Sequence, residues 1–224
     1  MPELFVIEGG DACGKTTQAK LLADALRTRV VGFPRRGESG SPIGQVLDRY
    51  LKGDRAFANL DPAHPFSDPL EDARVFQAMM TWDRYSCADL WDAPEQTLVL
   101  SRYIPSGLVF GQLDGIPLPE LVQAHRGLPH AKIAFWLDLP VETQMERMLG
   151  RAEVEDRYEK RDGLMERLLK TRAYYYEVWT RVGPVRWPRT NWAIINGCLS
   201  REAIAAKILE HLPKSYLLHP SRVG

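Results

Sequence analysis

The sequence predicts a three-layer α/β/α fold built on a central five-stranded parallel sheet. Two observations carry that prediction: short apolar runs alternate with helical patterns along the chain, and the first run ends in a glycine-rich turn that opens a helix. Leu4 to Glu8 is the first run, and it stops at Gly9 and Gly10. Ala19, Leu22, Ala23 and Leu26 then recur at helical spacing, so the opening unit reads strand, turn, helix. Arg29 to Phe33 reads as the next strand, Ile43 to Leu51 as a helix, Leu70 to Trp91 as a long helix and Thr97 to Leu100 as a strand. Lys132 to Asp138 and Trp192 to Ile195 supply the remaining strands, with helices at Val141 to Leu149, Asp162 to Arg181 and Ser200 to Leu212. Gly53 to Pro69 and Gly183 to Thr190, both punctuated by proline, read as surface loops, and "SYLLHPSRVG" as a loosely held tail. Strands separated by helices imply a parallel sheet covered on both faces, with ligands at the carboxyl ends of the strands.

A chain of 224 residues, 45% hydrophobic, fits one domain over residues 1–224 and needs no second fold. Lys plus Arg and Asp plus Glu both number 29, so the formal charge is zero; a wide nucleic-acid or membrane surface is not expected, and a small-molecule partner is. No apolar run approaches the roughly 20 residues of a membrane span, and "MPELFVIEGG" lacks the basic start and long apolar stretch of a signal peptide. A cytoplasmic location is expected. Cys13, Cys87 and Cys198 are scattered without CxxC spacing and suit reduced thiols; the five histidines are as dispersed and suggest no metal cluster.

"GGDACGKT", Gly9 to Thr16, satisfies G-x-x-x-x-G-K-[ST] between a predicted strand and a predicted helix, the context in which that motif has a mechanism. Backbone N–H groups of the loop and of the helix N-terminus point at phosphate oxygens, while Lys15 supplies a cation and Thr16 a hydroxyl for Mg²⁺. The fold is thereby expected to be of the P-loop NTP hydrolase type. A short chain without the guanine-reading N-K-x-D favours a small nucleotide kinase over a GTPase or a motor ATPase. Such an enzyme must neutralise two phosphate groups facing each other, which calls for arginines from separate loops. Arg35, Arg36, Arg84, Arg102, Arg151, Arg157 and Arg161 are the candidates.

The chain resembles the thymidylate kinase family over nearly its whole length. The resemblance rests on "FVIEGGDACGKTTQ", "FPRR" with "SPIGQVLDRYL", "TWDR", "SRYIPSG", "FWLDLPVE" and "DRYE", in that order. It implies ATP and Mg²⁺ as cofactors, transfer of the γ-phosphoryl of ATP to dTMP, a mobile lid at about 150–161, and a homodimer. Carried over by position, Gly9, Gly10, Asp11, Ala12, Cys13, Gly14, Lys15, Thr16 and Thr17 bind ATP, and Asp11 also reaches the acceptor's sugar hydroxyl. Arg36 and Arg102 hold the acceptor phosphate and the transferring group. Arg84 contacts the pyrimidine, Phe110 packs on the sugar, Phe33 and Ser106 complete the acceptor site, and Tyr158 and Glu159 belong to the lid. Because the phosphate loop carries Ala12 where part of the family has a basic residue, the resemblance assigns the catalytic arginine to the lid, as Arg151, with Arg157 as runner-up.

Three positions depart from the family pattern. Met80 stands where an aromatic usually stacks on thymine, and it either lines the base or fills the core. Cys13 sits inside the phosphate loop near a helix N-terminus and Lys15, both of which favour thiolate, but it reads first as a small residue that fits the loop, with any redox sensitivity a side effect. Ser101 replaces the aspartate that heads the D-R-Y motif; its hydroxyl can bond a metal-bound water but brings no charge, which leaves Glu8, Asp11 or Glu159 to compensate. Met80 keeps open a kinase for another or a modified deoxypyrimidine monophosphate, and Ser101 keeps open a catalytically impaired nucleotide-binding regulator.

Overall fold

The computed structural model describes residues 2–36, 40–52, 69–92, 97–150 and 163–217. In chain order the elements are β1 (Glu3–Glu8), α1 (Lys15–Leu26), β2 (Val30–Gly32), α2 (Pro42–Leu51), α3 (Pro69–Tyr85), α4 (Ala88–Trp91) and β3 (Thr97–Ser101). They continue as α5 (Ile104–Leu113), α6 (Leu118–Ala124), β4 (Ile133–Asp138), α7 (Val141–Leu149) and α8 (Leu164–Glu177). A π-helical turn (Val178–Val182) leads into α9 (Gly183–Arg186), β5 (Asn191–Asn196), α10 (Arg201–Glu210) and α11 (Lys214–Leu217).

The five strands form one sheet in the order β2-β3-β1-β4-β5, and every pairing is parallel. The expected α/β/α architecture is the one observed. Its two cores follow from the alternation of side chains along each strand. Leu4, Val6, Leu98, Leu100, Ala134 and Trp136 face a core closed by α3, α5 and α8, whereas Phe5, Ile7, Val99, Phe135 and Leu137 face the other, closed by α1 and α10. Strands buried on both faces read as continuous apolar runs, which is why they were visible in the sequence. Because β1 lies between β3 and β4, the loop leaving β1 emerges at the centre of the sheet's carboxyl edge. The register brings Ile7, Gly32 and Ser101 level with one another there.

Several elements differ from the sequence reading, among them α11, which begins just before the stretch expected to be a loose tail. The long helix expected over Leu70 to Trp91 is broken: α3 stops at Tyr85, and α4 restarts with Leu90 N–H on the carbonyl of Cys87 at 2.9 Å. The Cys87 thiol, donating to the Asp83 carbonyl at 3.1 Å, ties down the joint. α5 and α6 had no periodic signature. α5 buries Ile104, Pro105, Ser106, Gly107, Leu108, Val109 and Gly111, so it is apolar nearly all round and shows no stripe to read. Finally, the stretch expected as a loop from Gly183 opens with the short helix α9, and Gly183 itself leaves room for Trp192, 2.6 Å from a Cβ placed there.

Candidate active site

The loop between β1 and α1 is shaped by its glycines and by two groups behind it, the Leu137 carbonyl and the Gln144 side chain. Gly9 has φ of 144°, and a Cβ there would come within 2.8 Å of the Leu137 carbonyl; a Cβ on Gly10 would come within 2.3 Å of Gln144 Nε2. Gly14, at φ 93°, delivers the chain into α1, whose first turn carries no acidic residue and whose cap has no side-chain acceptor. That N-terminus is built to receive an anion. Lys15 folds back over the loop: its ammonium donates to the Gly10 carbonyl at 2.5 Å and lies 3.9 Å from Asp11 Oδ1. Thr16 and Thr17 are exposed beside it. Cys13 points inward, 1% exposed, with its sulfur 3.8 Å from the Lys15 ammonium.

On the opposite wall, β3 ends at Ser101 and the chain turns sharply through Arg102, which takes a left-handed φ of 66°. The Arg102 amide donates to the Ile7 carbonyl at 3.1 Å, locking the turn to β1. Its guanidinium donates to Asp11 Oδ1 and, at 3.3 Å, to Ser106 Oγ, and it lies 4.9 Å above the Phe110 ring. Beneath it, Glu8 is wholly buried. One Glu8 oxygen accepts from the amides of Tyr103 (2.6 Å) and Ser106 (3.2 Å); the other accepts from Ser106 Oγ (2.6 Å) and the Tyr175 hydroxyl (3.1 Å). The Tyr175 hydroxyl also lies 3.1 Å from the Gly9 carbonyl. Burial first, and then the Glu8 charge, push the Tyr175 phenol well above its ordinary pKa, so it stays a neutral donor. Glu8 therefore anchors the start of α5 and, through Ser106 and Tyr175, links the phosphate loop, Arg102 and α8.

The third wall comes from α3 and the segment after β2. Asp83 is fully buried; it accepts from the Arg35 amide at 2.8 Å and from the Ser41 hydroxyl that caps α2. Arg35 is thereby turned toward α3, where its guanidinium donates to Cys87 Sγ at 3.3 Å. Arg36 lies 3.8 Å from Asp48 and remains on the cavity rim. Met80 is half-buried and packs on the cluster of Leu47, Tyr50, Leu51 and Phe76 between α2 and α3. Arg84 is completely enclosed. Its Nη1 donates to the Met80 carbonyl at 3.1 Å and to His125 Nε2 at 3.2 Å. Burial is the main cause that lowers its pKa.

A single open cavity of about 680 Å³ joins these walls. It is lined by Asp11, Ala12, Gly14, Lys15, Thr16, Thr17, Phe33, Arg35, Arg36, Ser101 and Arg102 from the residues singled out in the sequence. Gly9, Gly10 and Cys13 support the loop from behind, Ser106 and Phe110 hold Arg102 from below, and Met80 and Arg84 stand back from the cavity in α3. Arg151, Arg157, Tyr158, Glu159, Arg161 and the rest of the expected lid lie outside the described residues.

No cluster of His, Cys, Asp or Glu able to cage a metal ion occurs among the described residues. The donors that fit Mg²⁺ are the Thr16 and Ser101 hydroxyls, with Asp11 as the one cavity-lining carboxylate among the described residues. Such a sparse oxygen set suits an ion that takes its remaining ligands from substrate phosphates and water. Glu8 is excluded from compensating for Ser101, because its oxygens are occupied beneath α5. Sequence reasoning missed Asp83, His125, Gln144, Arg147 and Tyr175. Arg147 reaches the carbonyls of Ala12 (3.5 Å) and Gly197 (3.4 Å) beside the phosphate loop; the spacing along α7 alone gives it no distinction from a surface arginine.

Comparison with known proteins aligns with this geometry. The family model described as "Thymidylate kinase" matches residues 7–208. The chain is 30% identical over 168 residues to a thymidylate kinase of Xanthomonas euvesicatoria pv. vesicatoria, covering 72% of this chain and 67% of that one. It is 27% identical over 155 residues to a probable thymidylate kinase of Methanococcus aeolicus, covering 69% and 70%. The solved structure of a thymidylate kinase from Candida albicans superposes with a TM-score of 0.69 over 93% of this chain and 90% of that one, at 19% identity.

Proposed function

The chain belongs to the thymidylate kinase family, and we propose that it transfers the γ-phosphoryl group of ATP to the 5′-phosphate of dTMP, giving ADP and dTDP. The observation that carries this reading is the convergence of Lys15, Thr16 and Thr17 with Arg36 and Arg102 across one cavity. Two phosphate groups that repel each other must be brought into line, and cations fixed on both sides of the transfer are the means.

In this reading an oxygen of the acceptor phosphate attacks the γ-phosphorus as the bond to the β,γ-bridging oxygen breaks, and the electron pair leaves with ADP. The Gly9–Gly14 backbone and the start of α1 bind the donor phosphates, and Lys15 follows the charge as it moves to the leaving oxygen. Arg36 and Arg102 hold the acceptor phosphate. Arg102 is kept in register by Asp11 and Ser106, whose contacts fix its guanidinium before substrate arrives. On the strength of the resemblance Asp11 also reaches the acceptor's sugar hydroxyl, and Phe33 and Phe110 supply apolar walls. The Thr16 and Ser101 hydroxyls would hold Mg²⁺, which when bound neutralises charge on the donor phosphates. Arg151, Tyr158 and Glu159 complete the site from the lid on the strength of the resemblance.

The reading includes a cytoplasmic homodimer, which rests on family membership; no described helix is long and apolar enough to cross a membrane. A coupled ADP-release assay across dTMP, dUMP, dCMP and dGMP tests the activity. ADP release that does not depend on a deoxypyrimidine monophosphate would overturn it.

A further inference from the structure

Arg84 presents an unusual balance of charge and hydrogen bonds. It is 0% exposed, and its Nε and Nη2 have no hydrogen-bond partner while its Nη1 has two. An unsatisfied donor on a buried cation is costly, so such a group calls for an explanation in a native fold. Nε–H and Nη2–H form the parallel edge of the guanidinium, the edge that grips an acceptor side-on. What determines the direction of that edge is whatever holds Nη1.

His125, at the end of α6, holds it. The ring is 1% exposed, and its Nδ1–H donates to the Leu121 carbonyl at 2.7 Å. That bond fixes the tautomer and leaves the Nε2 lone pair facing Arg84 Nη1 at 3.2 Å. Thr81 Oγ1, 3.5 Å from Nε2, already donates to the Gln77 carbonyl at 2.9 Å, so it does not compete for the lone pair. Space for the contact comes from Gly107 in α5: a Cβ there would stand 2.4 Å from His125 Nε2 and 3.2 Å from Arg84 Nη1. Three helices thus converge to present one imidazole lone pair to one guanidinium nitrogen.

We infer that His125 is a positioning residue for base selection: by fixing Nη1 it aims the free Nε–Nη2 edge of Arg84 at a pyrimidine bearing a carbonyl oxygen at C4, in preference to one bearing an amino group there. A carbonyl oxygen accepts from that edge, whereas an amino group sets donor against donor. The imidazole is held neutral, since burial, and then the neighbouring Arg84 charge, lower its pKa to about 3. It therefore accepts from Arg84 throughout the physiological range. This inference rests on the proposed deoxypyrimidine monophosphate kinase activity and adds to it the residue that sets the base preference.

The test is calorimetric binding of dTMP and dCMP to the wild-type protein, His125→Leu and His125→Gln, with steady-state kcat and KM for both acceptors. Wild type should prefer dTMP. His125→Leu should reduce the dTMP-to-dCMP affinity ratio about tenfold, through KM more than kcat, because one charge-assisted anchor is lost. His125→Gln, whose amide oxygen can take the place of Nε2, should restore most of the ratio. A role confined to folding would lower stability and scale both acceptors together. An unchanged ratio in a folded His125→Leu overturns the inference while leaving the kinase reading intact. Should His125→Leu not fold, His125→Asn, which is polar but too short to reach Nη1, replaces it with the same expected loss. A wild-type protein that binds both nucleotides alike overturns the base preference alone, and one that binds neither overturns the kinase reading as well.

Discussion

Tyr175→Phe removes one oxygen from the centre of the site and almost nothing else. The ring stacks on Trp136 with centroids 5.8 Å apart at 16°, and Phe retains that contact. What is lost is a hydroxyl that is fully buried and lies 3.1 Å from Glu8 Oε2, Ser106 Oγ and the Gly9 carbonyl. It has one proton for three oxygens, so the stability at stake is that of one hydrogen bond to a charged acceptor, about 1.5–3 kcal/mol. For a domain of this size each kcal/mol moves Tm by about 2–4 °C, so the variant should melt roughly 3–12 °C lower. Differential scanning calorimetry at pH 7 reads this directly. The kinetic effect should follow the same path: Ser106 Oγ, which accepts from Arg102, loses a neighbour, and the Gly9 carbonyl loses its tether to α8. We expect kcat to fall by about tenfold or less with KM for ATP altered little, since Lys15 and the helix N-terminus remain. A Tm within a degree of wild type would show that Glu8 and Gly9 do not depend on the Tyr175 hydroxyl, and would refute the link from α8 to the phosphate loop.

Other expectations follow from the same geometry. His125 is buried neutral with a pKa of about 3 against an ordinary 6.5, so the unfolded chain binds the proton more readily; its contribution is complete above about pH 6.5 and is lost as pH falls toward 3. Between pH 7 and pH 5 this should cost on the order of 2 kcal/mol, and urea unfolding of wild type and His125→Gln should show that slope only in the wild type. Lys15→Ala should lower kcat by about 10²-fold or more with the fold intact by circular dichroism, because it removes a cation that acts on charge developing in the transition state; near wild-type turnover would place the ATP site elsewhere. Ser101→Asp should lower the free Mg²⁺ needed for half-maximal rate, since Glu8 is committed elsewhere and Asp11 is already shared with Arg102 and Lys15; superimposable Mg²⁺ curves would leave Ser101 as a turn residue.

The parts of the site legible in the sequence are those whose function depends on local order. Gly9 to Thr16 must be contiguous to wrap a phosphate, and Leu4 to Glu8 must be apolar to pass through the middle of a sheet, so both announce themselves. Spacing also placed Met80 and Arg84 on one helix face, and they do meet through the Met80 carbonyl. The helix α5 was invisible for the opposite reason: enclosed on nearly all sides, it has no polar face to set a period against. Cys13 illustrates a third case, in which the surroundings suggest reactivity and the reading as a small residue that fits the loop is the one its packing agrees with. The electropositive surroundings are present, yet the backbone at Ala12, at φ 60°, turns the thiol under the loop instead of toward solvent.

What stayed hidden shares one physical property, which is that each polar group was buried with a partner far away in the chain. Glu8 read as the end of a strand because nothing near it signals Tyr175, 167 residues later, or Ser106, 98 residues later. Asp83 lies inside the recognisable "TWDR", yet its work is to hold Arg35 and Ser41, 48 and 42 residues earlier. His125 sits in an unremarkable stretch and acquires meaning only where α6 crosses beneath Arg84 and Gly107 leaves it room. Burial of a charge is tolerated only when partners are supplied, so these groups constrain the tertiary structure more tightly than any exposed residue of the phosphate loop. The residues proposed to contact phosphate are fixed by motif, and those that aim them are fixed by topology. A substitution at Glu8, Asp83 or His125 should therefore alter catalysis through the orientation of Arg102, Arg35 or Arg84 without any of the three touching a substrate.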